Sequence, residues 1–242
     1  ATAALTGQST TEPGELELPI GISKYFFLDG NFCNDFIVFS PANDPASCAG
    51  WNSYELLPPS DNTLRDILNG GEIGPRTIAG GTSFNFIGGN LSNPTFDALL
   101  LLFMLKGYDT QADGITPALT TTDAEGNDVP VVGALPDGTS GTVPLLYDDG
   151  TRAYYPDGKK NPTPRNKHLW ETSVVVYDWE DCSNPNTSIV IVGYTKIALT
   201  NVIDAPEKRV EGKISCDLFS NFETRGGGGN FGLKGTIPGL VE

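Results

Sequence analysis

Residues 210–218 read VEGKISCDL. Val210, Gly212, Ile214, Cys216 and Leu218 alternate with Glu211, Lys213, Ser215 and Asp217. A period of two puts one set of side chains on a buried face and the other in water, the mark of a half-buried β-strand. Upstream, residues 172–179 (TSVVVYDW) and 188–203 (SIVIVGYTKIALTNVI) are dense in Val, Ile, Thr and Tyr, the residue types that pack on a pleated surface. Near the start, Leu16, Leu18, Ile20 and Ile22 alternate with Glu17, Pro19, Gly21 and Ser23. Phe36, Ile37, Val38 and Phe39 form a short apolar run, and GGTSFNFIGGN (residues 80–90) reads as a strand between glycine turns. These patterns predict a mainly β chain with a few helices, an α+β protein built on an antiparallel sheet or sandwich core.

Two helices are expected. Residues 60–70 (SDNTLRDILNG) carry a capping Ser60 or Asp61, an apolar face of Leu64, Ile67 and Leu68, and a terminating Gly70. In residues 93–107, Asn93 suits the N-cap, Pro94 the first helical position and Gly107 the position past the end. Phe96 and residues 98–105 are apolar nearly all round, so the helix near 94–106 should be buried on most sides, in the core or at an oligomer interface. Residues 108–167 differ in composition, being rich in Asp, Gly, Pro, Thr and Asn, with short apolar runs at 129–135 and 143–147. So long a stretch without structure is unusual in a compact domain. It is read as a loop-rich, hairpin-bearing insertion or small subdomain, while residues 1–107 and 168–242 together make one β-rich core domain.

Composition narrows the function classes. Of 242 residues, 15 are Lys or Arg and 30 are Asp or Glu, a net charge of −15. A phosphate backbone is repelled by that balance, which argues against nucleic acid as a partner. The apolar run 98–105 is too short for a bilayer, which takes about 20 residues. The chain starts at Ala1 with no visible signal peptide, and its single Met is Met104. A soluble chain is expected, with any membrane attachment running through a segment absent here. Cys33, Cys48, Cys182 and Cys216 form no CxxC, and His168 cannot complete a tetrahedral zinc set with them by local spacing. An even count at wide spacing predicts two disulfides and an extracellular or periplasmic location. Of the three possible connectivities, the most local, Cys33–Cys48 with Cys182–Cys216, is the expected one.

Catalytic signatures are scarce. A catalytic triad would have to recruit His168, which sits in NKHLWE without a nucleophile elbow nearby. HExxH and the Walker and Rossmann glycine patterns are missing. No catalytic or cofactor-binding residue is assigned, and the chain is not expected to be an enzyme. Trp51, Trp170 and Trp179 could stack on sugars but are read as core residues. One pattern has metal logic. Asp109, Gln111 and Asp113, followed by Gly114, space oxygen ligands as in the first half of an EF-hand-like loop, with Asp123, Glu125, Asn127 and Asp128 close behind. Thr120 stands where the bidentate Glu belongs, so Ca²⁺ competes with a plain Asp/Gly turn.

Several separated stretches resemble a known family. They are LPIGISK (18–24), Cys33, CAGWN (48–52), TLRDILNG (63–70), VVVYDWEDCSNPN (174–186), IVGYTKIALTNVI (191–203) and RGGGGNFGLKGTIPGLVE (225–242). Together they are similar to the extracytoplasmic region of bacterial TadE/TadG-like proteins, which are linked to assembly of Flp, or tight-adherence, pili. The resemblance covers both flanks and leaves residues 108–167 poorly matched. It implies a structural or assembly component of a cell-surface appendage, partnered by other surface or pilus proteins or by itself. The alternative is a secreted carbohydrate- or surface-binding module with Ca²⁺-ordered loops. The glycine-rich end carries Phe231, Leu233, Ile237, Leu240 and Val241. Glycine allows close backbone approach and the apolar side chains need pockets, so this end is expected to dock on its own domain rather than on a neighbour.

Overall fold

A computed structural model describes residues 2–4, 6–28, 32–39, 48–88, 91–110, 116–117, 120–130, 132, 145–148, 151–154, 168–183, 185–203, 206–216, 218–237 and 239–241. His168–Tyr177 and Ser188–Ile203 pair antiparallel over most of their length, Trp170 opposite Leu199 and Val175 opposite Tyr194. Arg209–Ser215 continues the sheet beyond residue 196, and Phe36–Phe39 lies outside it. The start of Ser188–Ile203 turns instead to Ser83–Ile87, which pairs with Ala49–Asn52. Ala49–Asn52 pairs with Ile20–Ser23, and Ile20–Ser23 runs parallel to His168–Tyr177. Five strands thus hydrogen-bond in a ring and close on themselves as a small barrel, which leaves no free edge among them. The ring is antiparallel except for that one pair.

A ring this small is filled by its own side chains. Phe84, Phe86, Val175, Tyr177, Ile191 and Tyr194 form one buried cluster. Gly21 faces it, and a Cβ there would stand 2.8 Å from the Tyr177 ring. The alternate residues Trp170, Val174 and Val176 turn to a second cluster, which Ile197, Leu199, Val210 and Ile214 share. Two helices, α1 (Asp61–Leu68) and α2 (Asn93–Lys106), contribute to that second cluster. α2 buries Phe96, Ala98, Leu99, Leu100, Phe103 and Met104, so its apolar run is core, with Leu101 and Leu105 left at the surface.

The helix ends are sharper than the sequence suggests. Ser60 caps α1 by accepting from Thr63 N, and Gly70 leaves it at φ +82°. Ser92, not Asn93, caps α2 through the same bond to Thr95 N, so Asn93 begins the helix and Pro94 follows it. Gly107 ends α2 in an extended rather than a left-handed conformation. Its lack of a side chain makes room for the His168 ring, since a Cβ would lie 2.4 Å from Nε2.

The disulfide pairing differs from the local one expected. Cys33 is joined to Cys216, their Cα atoms 5.4 Å apart, and Cys48 is joined to Cys182. Strand pairing is the reason. Phe36 lies opposite Lys213, which carries the turn before it to the end of Arg209–Ser215, beside Cys216. Ala49 lies opposite Ile22, whose other neighbour is Val176, so Cys48 meets the loop that follows Tyr177. Phe36–Phe39 therefore sits between two different bridges and not inside a Cys33–Cys48 loop. Within residues 108–167, Tyr108–Asp109 pairs with His168–Leu169 at the root. Thr120–Thr122 with Asp128–Pro130, and Leu145–Asp148 with Thr151–Tyr154, form local hairpins.

Candidate functional site

The two ends of the chain meet. Thr2–Ala4 pairs antiparallel with Gly239–Val241. Gly7–Gln8 pairs with Gly226–Gly228 and, through Gly7, with Lys234 of Leu233–Lys234, which itself lies parallel to Leu218–Phe219. Ser9 N donates to Arg225 O at 2.8 Å, and Gly226 N to Ile237 O at 2.7 Å. Residues 226–237 and 239–241 thus form a strap laid against the first segment of the chain.

Glycine is required at the tightest points. A Cβ on Gly7 would stand 1.9 Å from Gly229 O, and one on Gly228 would stand 2.0 Å from Gln8 O. Neither contact can relax by turning a side chain, because both partners are backbone. Phe231 then supplies the anchor. It packs against the second cluster with its ring 5.0 Å from Phe27, which in turn lies 4.7 Å from Phe32. The ring occupies the space over Gly193, where a Cβ would come within 2.5 Å of it. Leu233 is buried in the barrel cluster.

Beneath the strap lies a buried carboxylate. Glu15 Oε1 accepts from Gln8 Nε2 at 2.7 Å and from Ser220 Oγ at 2.6 Å, while Oε2 accepts from Glu12 N at 3.1 Å. It therefore ties the first segment of the chain to the last. A burial cost of several kcal/mol makes such a group stabilising only when its oxygens are satisfied, as these are. Beside it opens a cavity of about 230 Å³ whose wall includes Glu15, Glu17, Glu171, Lys196, Asn221 and Phe222. Glu17 is paired with Lys106. Burial, and then the charge of Glu171, push the Tyr108 phenol up. Deeper in, Thr11 Oγ1 lies 2.6 Å from Thr77 Oγ1, which also contacts the Tyr194 hydroxyl. Burial pushes Tyr194 up to about 12 in spite of those hydroxyl bonds, so it is a fixed, neutral phenol at ordinary pH.

Asp109 contributes backbone pairing with His168, while Gln111 and Asp113 lie outside the described residues. Asp123 accepts from the backbone of Glu125 and Asn127, closing the turn of its hairpin, and these bonds hold its carboxyl below the usual range. No group of three or more His, Cys, Asp or Glu side chains suited to a metal occurs among the described residues. His168 is buried, with Nε2 3.1 Å from Phe103 O and its ring against Phe103. Trp51 and Trp170 are core residues. Trp179 packs on the barrel cluster and donates to Ser183 Oγ at 3.0 Å.

No sequence motif marks the cavity. Glu15 and Glu17, Glu171, Lys196 and Asn221 come from four separate segments, which only the closed ring and the docked strap bring together. Comparison with protein-family models, with characterised proteins and with solved structures finds no match. The chain is a mainly β, disulfide-bonded protein. Two such bridges fit an oxidising compartment. Among the described residues no helix is long and apolar enough to cross a membrane.

Proposed function

We propose that the chain is an extracytoplasmic, non-enzymatic structural or assembly component of a bacterial surface appendage, of the TadE/TadG type its sequence resembles. The observation that carries this reading is the strap: a terminal segment whose fit is set by backbone contact and one aromatic anchor, over a sheet tied by two long-range disulfides. Such a build suits a stable unit in an extracellular array. Its partners are other surface proteins or further copies of itself. The test is sedimentation and electron microscopy of the full chain and of a chain lacking residues 231–242, over a range of concentrations. Concentration-dependent assembly by the full chain is expected. A chain that stays monomeric at every concentration and binds no surface or pilus protein overturns the reading.

The cavity favours a second reading, a carbohydrate- or surface-binding module. Carboxylates, an ammonium, an amide and an aromatic ring in one hollow are the groups that hold a polar, ring-shaped ligand. Binding on a glycan array that is lost in Glu171→Gln would establish it. The Ca²⁺ part of this reading is separate. A cation held by Asp109, Gln111 and Asp113 raises the Tm when added in the millimolar range, and Asp113→Ala removes the rise. An unchanged melting curve retires the cation.

A further inference from the structure

We propose that the outer edge of Phe36–Phe39 is a dimer interface, to which a second copy of the chain adds the same strand antiparallel. This rests on the self-association proposed above and assigns that association a contact.

Edges are scarce in this sheet. Five of its eight strands close into a ring, and Phe36–Phe39 ends the ladder on one side. Ile214 N donates to Asp35 O at 3.1 Å, and Phe36 lies opposite Lys213. Bonds between antiparallel strands fall on alternate residues, so Asp35, Ile37 and Phe39 carry those to Arg209–Ser215. The N–H and C=O of Phe36 and Val38 therefore point away from the sheet, and among the described residues no strand pairs with them. Such a row is a template for another strand, which proteins commonly blunt with a lysine, a proline or an inward-pointing charge. Phe36, Ile37, Val38 and Phe39 include none of these. An aromatic ring is instead left bare: Phe36 is 54% exposed, while Ile37 beside it is 2% exposed.

Three features select a second copy as the occupant. The strand is its own complement. A twofold axis at Ile37 sets Phe36 against Val38 of the partner subunit, and Val38 against Phe36 of the partner subunit. These are the two outward-bonding residues, so that register closes four backbone hydrogen bonds. It also lays an exposed ring beside a branched apolar side chain, twice, on one face of the joined sheet. The strap offers no such contact, because its strands and its Phe231 and Leu233 side chains are already engaged within their own chain. Charge points to the same strand. At a net charge of −15 two copies repel. Phe36–Phe39 is uncharged, and Lys213 and Glu211, opposite Phe36 and Val38, cancel one another. The copies thus meet where repulsion is least. Four residues a side bury less than a standard interface, so the dimer is weak and fills as concentration rises.

The test is sedimentation equilibrium of the full chain with both disulfides intact, beside two double variants. F36K/V38K sets like charges opposite one another across the axis and should weaken dimerisation about tenfold or more. F36K/V38E sets opposite charges there and should dimerise several-fold more tightly than F36K/V38K, about as in any cross-strand ion pair. Both should keep the Tm of the unsubstituted monomer, since the bonds to Arg209–Ser215 run through Ile37 and Phe39. In the unsubstituted chain the amides of Phe36 and Val38 should exchange more slowly as concentration rises. A dimer that forms equally well in F36K/V38K overturns the proposal, and so does an F36K/V38E chain as weakly associated as F36K/V38K. In both cases self-association survives through another contact, and the assembly reading stands. A chain that stays monomeric but captures a surface or pilus protein likewise overturns the interface and leaves that reading in place.

Discussion

Asp61 shows how much a single side chain can organise. It opens α1, yet its carboxylate serves α2, accepting from Ser92 N at 2.9 Å, Ser92 Oγ at 2.6 Å and Thr95 Oγ1 at 2.8 Å. Partial burial pushes its pKa up, but the bonds from Ser92 and Thr95, helped by Arg65, outweigh that and hold it below the ordinary carboxylate value. Protons then bind the unfolded chain more readily than the folded one. The node stabilises the fold above about pH 4, where an unfolded Asp is ionised, and that stabilisation fades as acid titrates the folded group. Asp61→Asn should cost roughly 1 kcal/mol at neutral pH, the size of a lost cap, and should flatten the acid limb of a Tm-against-pH curve. A variant whose acid limb matches the unsubstituted chain would show that other carboxylates carry the effect. The same scale explains Phe231. Removing its partly buried ring with Phe231→Ala should lower stability by about 2 kcal/mol, measured by urea unfolding, while the barrel keeps its tertiary signal.

At the scale of elements, periodicity was a good guide and proximity a poor one. The alternation at 210–218 and the dense run at 188–203 correspond to Arg209–Ser215 and Ser188–Ile203, and α2 ends at Lys106 before Gly107. Period and caps are local properties, readable wherever the backbone makes them. Which cysteine meets which depends on strand order, and order is set by contacts between residues far apart in the chain. The parallel placement of Ile20–Ser23 against His168–Tyr177 is of that kind, and it decided the bridge from Cys48. The cavity was hidden for the same reason, because its carboxylates belong to separate segments. The bridges close loops across 183 and 134 positions. On a chain-entropy account each contributes about 5 kcal/mol by restricting the unfolded state. Non-reducing peptide mapping should recover Cys33 with Cys216 and Cys48 with Cys182. Recovery of Cys33 with Cys48 would contradict the strand order itself. The double change Cys33→Ser with Cys216→Ser should lower the Tm by about 10 °C or somewhat more in a chain of this length.

Across the whole molecule, the meeting of the ends has a direct test. Because Thr2 lies opposite Val241, a short glycine-rich linker can join residue 241 to residue 2 without crossing the fold. New ends can open in the exposed turn at 123–127, which holds itself closed by the bonds to Asp123. Surface turns are where such rearrangements are tolerated. The permuted chain should keep both disulfides and melt within a few degrees of the original. A large loss of stability would mean that the ends are held apart in solution, and the pairing of Thr2–Ala4 with Gly239–Val241 would then be wrong.

That terminal pair also sets how the molecule answers to tension. Residues 2 and 241 sit at the same end of an antiparallel ladder, so pulling them apart loads its hydrogen bonds one after another, as a zipper opens, and not all at once. The strap should peel at low force. The barrel and the wider sheet, tied by two covalent bridges, by contrast bear load through strands that would have to slide past one another. A unit tethered through both ends would lengthen early by the span of its strap and then stiffen, a built-in shock absorber ahead of a rigid body.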